Sequence, residues 1–208
     1  MIIGITGSSG AGKSTVCEIL EAYYKVTIIN ADKVARKLSK RGTNYVIDII
    51  SKFGKSIVDE NGELKRRKLA EIIYNDPKKR EELNKCTFKY IKKEIERQIK
   101  KAQTDTIIID APLLFESELN KICDKVIGVI SNRELQIERI VARDDIDYED
   151  AEKRLNAQQT NEFYIEKCDA IIENNNNLKS IKENVEKIAK TYGIEKEVGE
   201  RIWNLIPF

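Results

Sequence analysis

The 208-residue sequence contains no histidine. That absence excludes every mechanism built on imidazole, including a Ser-His-Asp or Cys-His triad, a His-ligated zinc and a His phosphorelay. Catalysis must then run on carboxylates, lysine, arginine, backbone amides, or a metal held by oxygen ligands. Cysteine is sparse and scattered: Cys17, Cys86, Cys123 and Cys168 lie far apart, with no C-x-x-C pair. A disulfide framework or a zinc site is not expected, and small buried hydrophobes in a reduced cytosolic setting are. The net charge of +2 lacks the basic excess of a general nucleic-acid binder. No apolar run approaches the ~18 residues of a membrane span. The apolar opening from Met1 to Thr6 is too short, and lacks the basic start, of a signal peptide. A soluble, cytoplasmic protein that uses neither membrane nor nucleic acid is the expectation.

What is present is an alternation of short apolar runs with longer amphipathic stretches. Five runs read as strands: Ile2 to Thr6, Val26 to Asn30, Thr106 to Asp110, Lys125 to Ile130 and Ala170 to Glu173. The first, third and fourth are nearly continuous in Ile and Val, as in strands buried on both faces. The pattern predicts an α/β fold with a five-stranded parallel sheet covered by helices. About 33–103 is charged and helical in pattern, with turn signals at Arg41-Gly42, Asn61-Gly62 and Asp76-Pro77. This is too much chain for a simple crossover and reads as a helical insertion. A second charged segment, about 133–161, has its own helix start at Asp147. The remaining stretches, about 1–32, 104–132 and 162–192, make the core, and 193–208 form a tail whose role is open.

Directly after the first strand stands Gly7-Ser8-Ser9-Gly10-Ala11-Gly12-Lys13-Ser14, followed by a helical pattern from Thr15 to Tyr24. This is G-x-x-x-x-G-K-[ST] in its strand-loop-helix context. Glycines let successive backbone N–H groups turn toward phosphate oxygens, and the helix N-terminus adds partial positive charge. Ser9, Gly10, Ala11, Gly12, Lys13, Ser14 and Thr15 are therefore the expected ATP-binding residues. Lys13 would reach the β- and γ-phosphates, and the Ser14 hydroxyl would ligate Mg²⁺.

A guanine-reading N-K-x-D is missing: Asn84-Lys85-Cys86-Thr87 and Asn120-Lys121-Ile122-Cys123 both lack the Asp. Asp59-Glu60-Asn61-Gly62 has D-x-x-G spacing but reads as a chance turn. A small-molecule kinase, with a base near the loop and an arginine-rich lid, fits better. Asp32, after the second strand, is placed to accept a hydroxyl proton or to hold Mg²⁺ through water; a helix N-cap is the competing reading. Asp110, closing the third strand, is placed like a Walker B acid, with the same competitor. Arg139 and Arg143 share a helical face and, with Arg154, suit stabilisation of a transferring phosphoryl group; a solvated basic face is the alternative.

Together these strings resemble the dephospho-coenzyme A kinase family from Met1 to about Lys190. The more specific pieces are Asn30-Ala31-Asp32 with Ala35-Arg36, Gly62-Glu63-Leu64-Lys65-Arg66 before Leu69, and Asp110-Ala111-Pro112-Leu113-Leu114-Phe115-Glu116. Arg139, Arg143-Asp144-Asp145, Arg154 with Ala157-Gln158, and Ala170-Ile171-Ile172-Glu173-Asn174 continue the match. The resemblance implies a P-loop kinase fold with a helical substrate-binding domain and a lid. It implies transfer of the ATP γ-phosphoryl group to the 3′-hydroxyl of dephospho-coenzyme A with Mg²⁺. On this reading Asp32 is the base, Lys13, Arg139 and Arg143 are catalytic, and Asn174 lies near the adenine. Arg66, Leu113, Leu114 and Asp110 meet the acceptor, and Ser14 binds Mg²⁺ directly, with Asp32 and Asp110 acting through water. The chain departs from the family's usual pattern at Asn30, where an Asp is common, at Ser8-Ser9 in the loop, and at Phe88-Lys89, where His-Pro is usual. A different small-molecule kinase, or a protein using ATP as a switch, are the alternatives, and oligomeric state stays open.

Overall fold

The computed structural model describes residues 1–74, 76–175 and 177–197. Contacts divide the chain into two compact units, Met1–Ile28 with Ala102–Phe208, and Ile29–Lys101.

The five strands fall where the sequence pattern places them: β1 (Ile2–Thr6), β2 (Val26–Asn30), β3 (Thr106–Asp110), β4 (Lys125–Ile130) and β5 (Ala170–Glu173). Their order in the sheet is β2-β3-β1-β4-β5. β1 runs parallel to β3, with Ile5 beside Asp110, and parallel to β4, which in turn pairs in parallel with β5. The continuous Ile/Val runs have the physical cause expected. Ile3, Ile5, Ile108, Ile127 and Val129 point into one core with α1 (Lys13–Tyr23) and α9 (Leu178–Thr191), where Val16, Leu20, Ile181 and Val185 meet them. On the opposite face, Gly4 and Gly128 leave room for larger neighbours. A Cβ at Gly4 would come 2.7 Å from Leu114 Cδ2, and one at Gly128 would come 2.9 Å from Ile171 Cδ1 and 3.2 Å from Tyr164 Cβ.

Within the same unit, α6 (Arg133–Asp144) and α7 (Tyr148–Asn156) form a hairpin with a small core of Ile137, Ile140, Ala151 and Leu155. Asp147 caps α7, accepting the Asp150 N–H at 2.8 Å. α8 (Asn161–Lys167) leads into β5. After α9 the chain turns at Gly193, and Lys196 pairs antiparallel with Tyr24, in the link between α1 and β2. The Lys25 N–H donates to the Glu195 carbonyl at 2.9 Å and the Glu197 N–H to that of Tyr23 at 2.9 Å. The apolar residues Ile202, Trp203 and Leu205 to Phe208 lie outside the described residues.

The unit Ile29–Lys101 is helical: α2 (Ala31–Leu38), α3 (Asn44–Phe53), α4 (Arg66–Tyr74) and α5 (Pro77–Ile99). Its own core joins Ile49, Ile57, Leu69 and Cys86, with Tyr45, Phe53 and Leu83 packed around them. All three turn signals of the sequence are used. Asp59 Oδ1 accepts the N–H groups of Asn61 and Glu63, both at 2.9 Å, so the D-x-x-G string is a turn. Asp76 caps α5 through the Lys78 and Lys79 N–H groups, with Pro77 in the first turn. Phe88 and Lys89 sit inside α5, and the Lys89 ammonium and the Tyr90 hydroxyl both donate to Asp48.

The overall charge of +2 hides an imbalance between the units. Residues 29–101 carry 21 Lys and Arg against 11 Asp and Glu, whereas the rest of the chain carries 16 against 24. The helical unit is therefore +10 and the sheet unit −8.

Candidate active site

The loop Gly7 to Ser14 leaves the end of β1 and enters α1 at Lys13, two residues before the apolar pattern begins. Gly12 precedes the helix in the left-handed region at φ 92°, and no side chain caps α1. By contrast, Asn30, Thr43, Asp76, Asp147, Thr160 and Asn177 cap other helices. Gly12 thus brings no side chain of its own to the start of α1, the arrangement used by helix-terminus anion sites. Lys13 Nζ donates to the carbonyls of Gly7 at 2.7 Å and Ser8 at 3.2 Å, so the ammonium lies along the loop. Ser14 is exposed and Thr15 half-buried.

The glycines also admit neighbouring structure. A Cβ at Gly10 would collide with the backbone of Gln136 in α6, and one at Gly12 with the side-chain amide of Asn174. Asn174, just past β5, is buried, donates to the Ala11 carbonyl at 3.0 Å, and is itself held by Arg139. Arg139 Nη2 donates to the Asn174 carbonyl at 3.0 Å, while Nη1 donates to the Gly10 carbonyl at 2.9 Å and to Ser131 Oγ at 3.2 Å. Burial lowers the pKa of this guanidinium from its ordinary value. Arg139 is therefore not the solvated basic residue that its charge pattern suggests; it braces the carbonyl side of the phosphate loop.

Arg143, one turn further along α6, behaves differently. Its guanidinium grips Asp144 with Nε to Oδ1 at 2.9 Å and Nη2 to Oδ2 at 2.8 Å, and reaches Ser9 Oγ with Nη2 at 3.1 Å. Arg154 of α7 donates to the same Asp144 oxygen. The hydrogen bond from Arg143 holds the Asp144 carboxyl below the usual carboxylate range and raises the pKa of Arg143 itself. Two further side chains touch the loop, and the sequence reading gave neither a role. Gln136, buried, donates to Ser8 Oγ at 2.6 Å and to the Ser9 carbonyl at 3.2 Å. Gln158 accepts the Ser9 N–H at 2.6 Å.

Asp110 closes β3 almost fully buried. Burial, and after it the Asp110 charge, push the neighbouring Cys17 thiol up, while Lys13 opposes them. Cys17 is therefore an inert thiol beneath the loop. Leu113 is exposed and Leu114 fully buried against β1. Of the two leucines expected at the acceptor, Leu114 thus packs under the strand end in this structure and Leu113 faces solvent.

In the helical unit, Asp32 lies exposed in the first turn of α2, and the cap of that helix is Asn30, whose Oδ1 accepts the Lys33 N–H at 2.8 Å. The N-cap alternative for Asp32 is removed by its neighbour. A cleft of about 340 Å³ in this unit is lined by Asp32, Arg36, Tyr45, Leu64, Arg66 and Leu83 among others. Arg66, at the start of α4, donates to Ser39 Oγ at 2.6 Å.

Among the described residues no group of three or more acidic or cysteine side chains forms a metal cage. The oxygen donors at the loop, Ser14 and Asp110, suit a hard cation that keeps several of its waters. Among the described residues, no helix is long and apolar enough to cross a membrane.

The comparisons with known proteins agree with this chemistry. The family model described as dephospho-CoA kinase matches residues 1–180. A dephospho-CoA kinase from Fusobacterium nucleatum is 43% identical over 193 residues, covering 92% of this chain and 98% of the relative. One from Staphylococcus aureus is 35% identical over 199 residues, covering 94% and 95%. The solved dephospho-CoA kinase from Campylobacter jejuni superposes with a TM-score of 0.65 at 28% identity, over 92% and 96% of the two chains. A Thermus thermophilus structure, TT1252, shares the fold with a TM-score of 0.80 at 24% identity, over 92% and 97%. A kinase phosphate loop at a bare helix start, braced by arginines from one helix and matched in order along nearly the whole length of curated relatives, has one reading: the chain belongs to the dephospho-CoA kinase family.

Proposed function

We propose that the chain transfers the γ-phosphoryl group of ATP to the 3′-hydroxyl of dephospho-coenzyme A, and that the residues gathered above divide the work as follows. The uncapped start of α1 and the loop amides take the phosphates, and Lys13 leaves its carbonyl partners for the β- and γ-phosphate oxygens. Asn174 and Arg139 fix the loop from behind, Asn174 near the adenine and Arg139 as a catalytic arginine beside Arg143. Asp32 accepts the proton of the 3′-hydroxyl, or holds that hydroxyl in line. The new bond forms between this oxygen and the γ-phosphorus as the bond to the β–γ bridging oxygen breaks, and ADP leaves with that electron pair. Arg143, on the lid formed by about 133–161, meets the charge on the transferring group, as suits a planar guanidinium. The acceptor-binding residues are Arg66, in the helical substrate-binding part of about 33–103, and Leu113, Leu114 and Asp110.

Mg²⁺ is the expected partner of ATP. Ser14 would hold it directly and Asp110 and Asp32 through water, and it would neutralise charge between the β- and γ-phosphates. The observation that carries the reading is the loop that turns through Gly10 and Gly12 and enters α1 at Lys13 and Ser14 in a member of this family. A coupled ADP-release assay with dephospho-coenzyme A against nucleosides, nucleotides and sugars tests it. Turnover confined to dephospho-coenzyme A is expected, and turnover of another acceptor with none of dephospho-coenzyme A refutes it.

A further inference from the structure

All three polar groups of Ser9 are taken by side chains of one segment. Its N–H goes to Gln158 Oε1 at 2.6 Å, its carbonyl accepts from Gln136 Nε2 at 3.2 Å, and its hydroxyl oxygen accepts from Arg143 Nη2 at 3.1 Å. These partners come from α6 and from the loop that follows α7, 127 to 149 residues away in the chain. The Arg143 side chain is 59% exposed. A long exposed side chain of this kind must lose rotamer freedom before it can serve a fixed geometry. Here it is held between two points, the Asp144 carboxylate on one edge and the Ser9 hydroxyl at Nη2. Asp144 is an immediate chain neighbour and moves with Arg143. Ser9 belongs to the phosphate loop, so it is the contact that references the guanidinium to the phosphates.

We infer that Ser9 is a positioning residue for phosphoryl transfer: its hydroxyl sets Arg143 over the phosphate loop, while Gln136 and Gln158 lock the Ser9 backbone so that the hydroxyl has a defined direction. This rests on the reading that Arg143 meets the transferring group. The chemistry is that of a pre-organised charge, whose benefit appears in the transition state, where the charge on the phosphoryl oxygens is redistributed, more than in ATP binding. Loss of the hydroxyl should therefore lower kcat and leave KM for ATP nearly unchanged.

The test is steady-state kinetics on Ser9→Ala, Ser9→Gly and Ser9→Thr in the wild-type and Arg143→Ala backgrounds, with thermal melting of each variant. A hydrogen bond to a charged group implies a fall in kcat of roughly tenfold for Ala and Gly, with KM for ATP within about twofold. Ser9→Thr, which keeps the hydroxyl, should recover most of the kcat that Ser9→Ala loses. In the Arg143→Ala background the loss of the hydroxyl should cost less than about twofold, because the group it acts through is gone. An unchanged kcat in both hydroxyl-free variants, or an equal fall with and without Arg143, overturns the inference. So does a fall in Thr as large as in Ala. Wild-type turnover of dephospho-coenzyme A tests the functional reading separately, since the Ser9 comparison is made relative to wild type with whichever acceptor is turned over.

Discussion

Asn174 reaches from the end of β5 to the phosphate loop and donates its side-chain amide to the Ala11 carbonyl at 3.0 Å. The contact is possible because Gly12, at φ 92°, has no Cβ to strike that amide. Gly12→Ala should therefore abolish ATP binding while most of the sheet core survives, as measured by nucleotide titration beside circular dichroism. Asn174→Ala should remove a buried donor and leave the Ala11 carbonyl unsatisfied, at about 1–3 kcal/mol of stability by denaturant titration. Full stability in Asn174→Ala would mean that the amide does not brace the loop.

Asp32→Asn keeps the shape of the side chain and removes the proton acceptor. Because Asn30 and not Asp32 caps α2, the fold should be indifferent to the change. A fall in kcat of about 10²–10⁴ with nucleotide affinity retained is expected for loss of a general base. A fall below about tenfold would assign Asp32 to positioning the hydroxyl.

Asp144 receives Arg143 and Arg154, and its carboxyl is held below its usual value. A carboxylate whose folded pKa is depressed contributes stability that is fully present above its unfolded value near pH 4, and loses it as the pH falls through the folded value. Asp144→Asn should thus lower the melting temperature at pH 7, and the gap from wild type should close as the pH drops below about 4. A gap independent of pH would show that the pair adds no charge-dependent stability.

Leu114→Ala should be costly and Leu113→Ala should not. The first side chain is fully buried and the second is 44% exposed. Truncating a buried leucine costs about 2–5 kcal/mol. Leu113→Ala should leave the melting temperature within a few degrees and, if Leu113 meets the acceptor, raise KM for dephospho-coenzyme A alone.

The +10 charge of residues 29–101 predicts a salt effect specific to the acceptor. Dephospho-coenzyme A is anionic, and exposed charges are screened beyond roughly 8 Å at physiological ionic strength. If the loop amides take the ATP phosphates at close range and the helical unit takes the acceptor, raising the salt should increase KM for the acceptor several-fold more than KM for ATP. Parallel rises would assign the imbalance to solubility.

All five strands were legible because each is a run of Ile and Val bounded by polar residues, and the phosphate loop because its glycines and lysine have fixed spacing. The helix start at Asp147 was legible for the same local reason, whereas Asp76-Pro77 read only as a turn and proves to cap α5. What escaped is non-local. Gln136 and Gln158 look like ordinary helix and loop amides, and nothing in their neighbourhood shows that they reach Ser8 and Ser9 across some 130–150 residues. Arg139 has the charge pattern of a solvated face because periodicity cannot show that Gly10, Ser131 and Asn174 surround it. The burial of Leu114 follows from the missing side chain at Gly4, which reads in the sequence only as a weak point in a strand.

The sheet order sets the sequence of events during synthesis. β1 is made first and lies at the centre, yet both neighbours, β3 and β4, begin more than a hundred residues later. At about 5–20 residues per second, the apolar strand Ile2–Thr6 waits on the order of 5–20 s for its first partner. In that interval the ribosome delivers the whole of Ile29–Lys101, including the core of Ile49, Ile57, Leu69 and Cys86. That small core can therefore close while β1 is still unpaired, and the nascent chain passes through a stage with a helical core but no completed sheet.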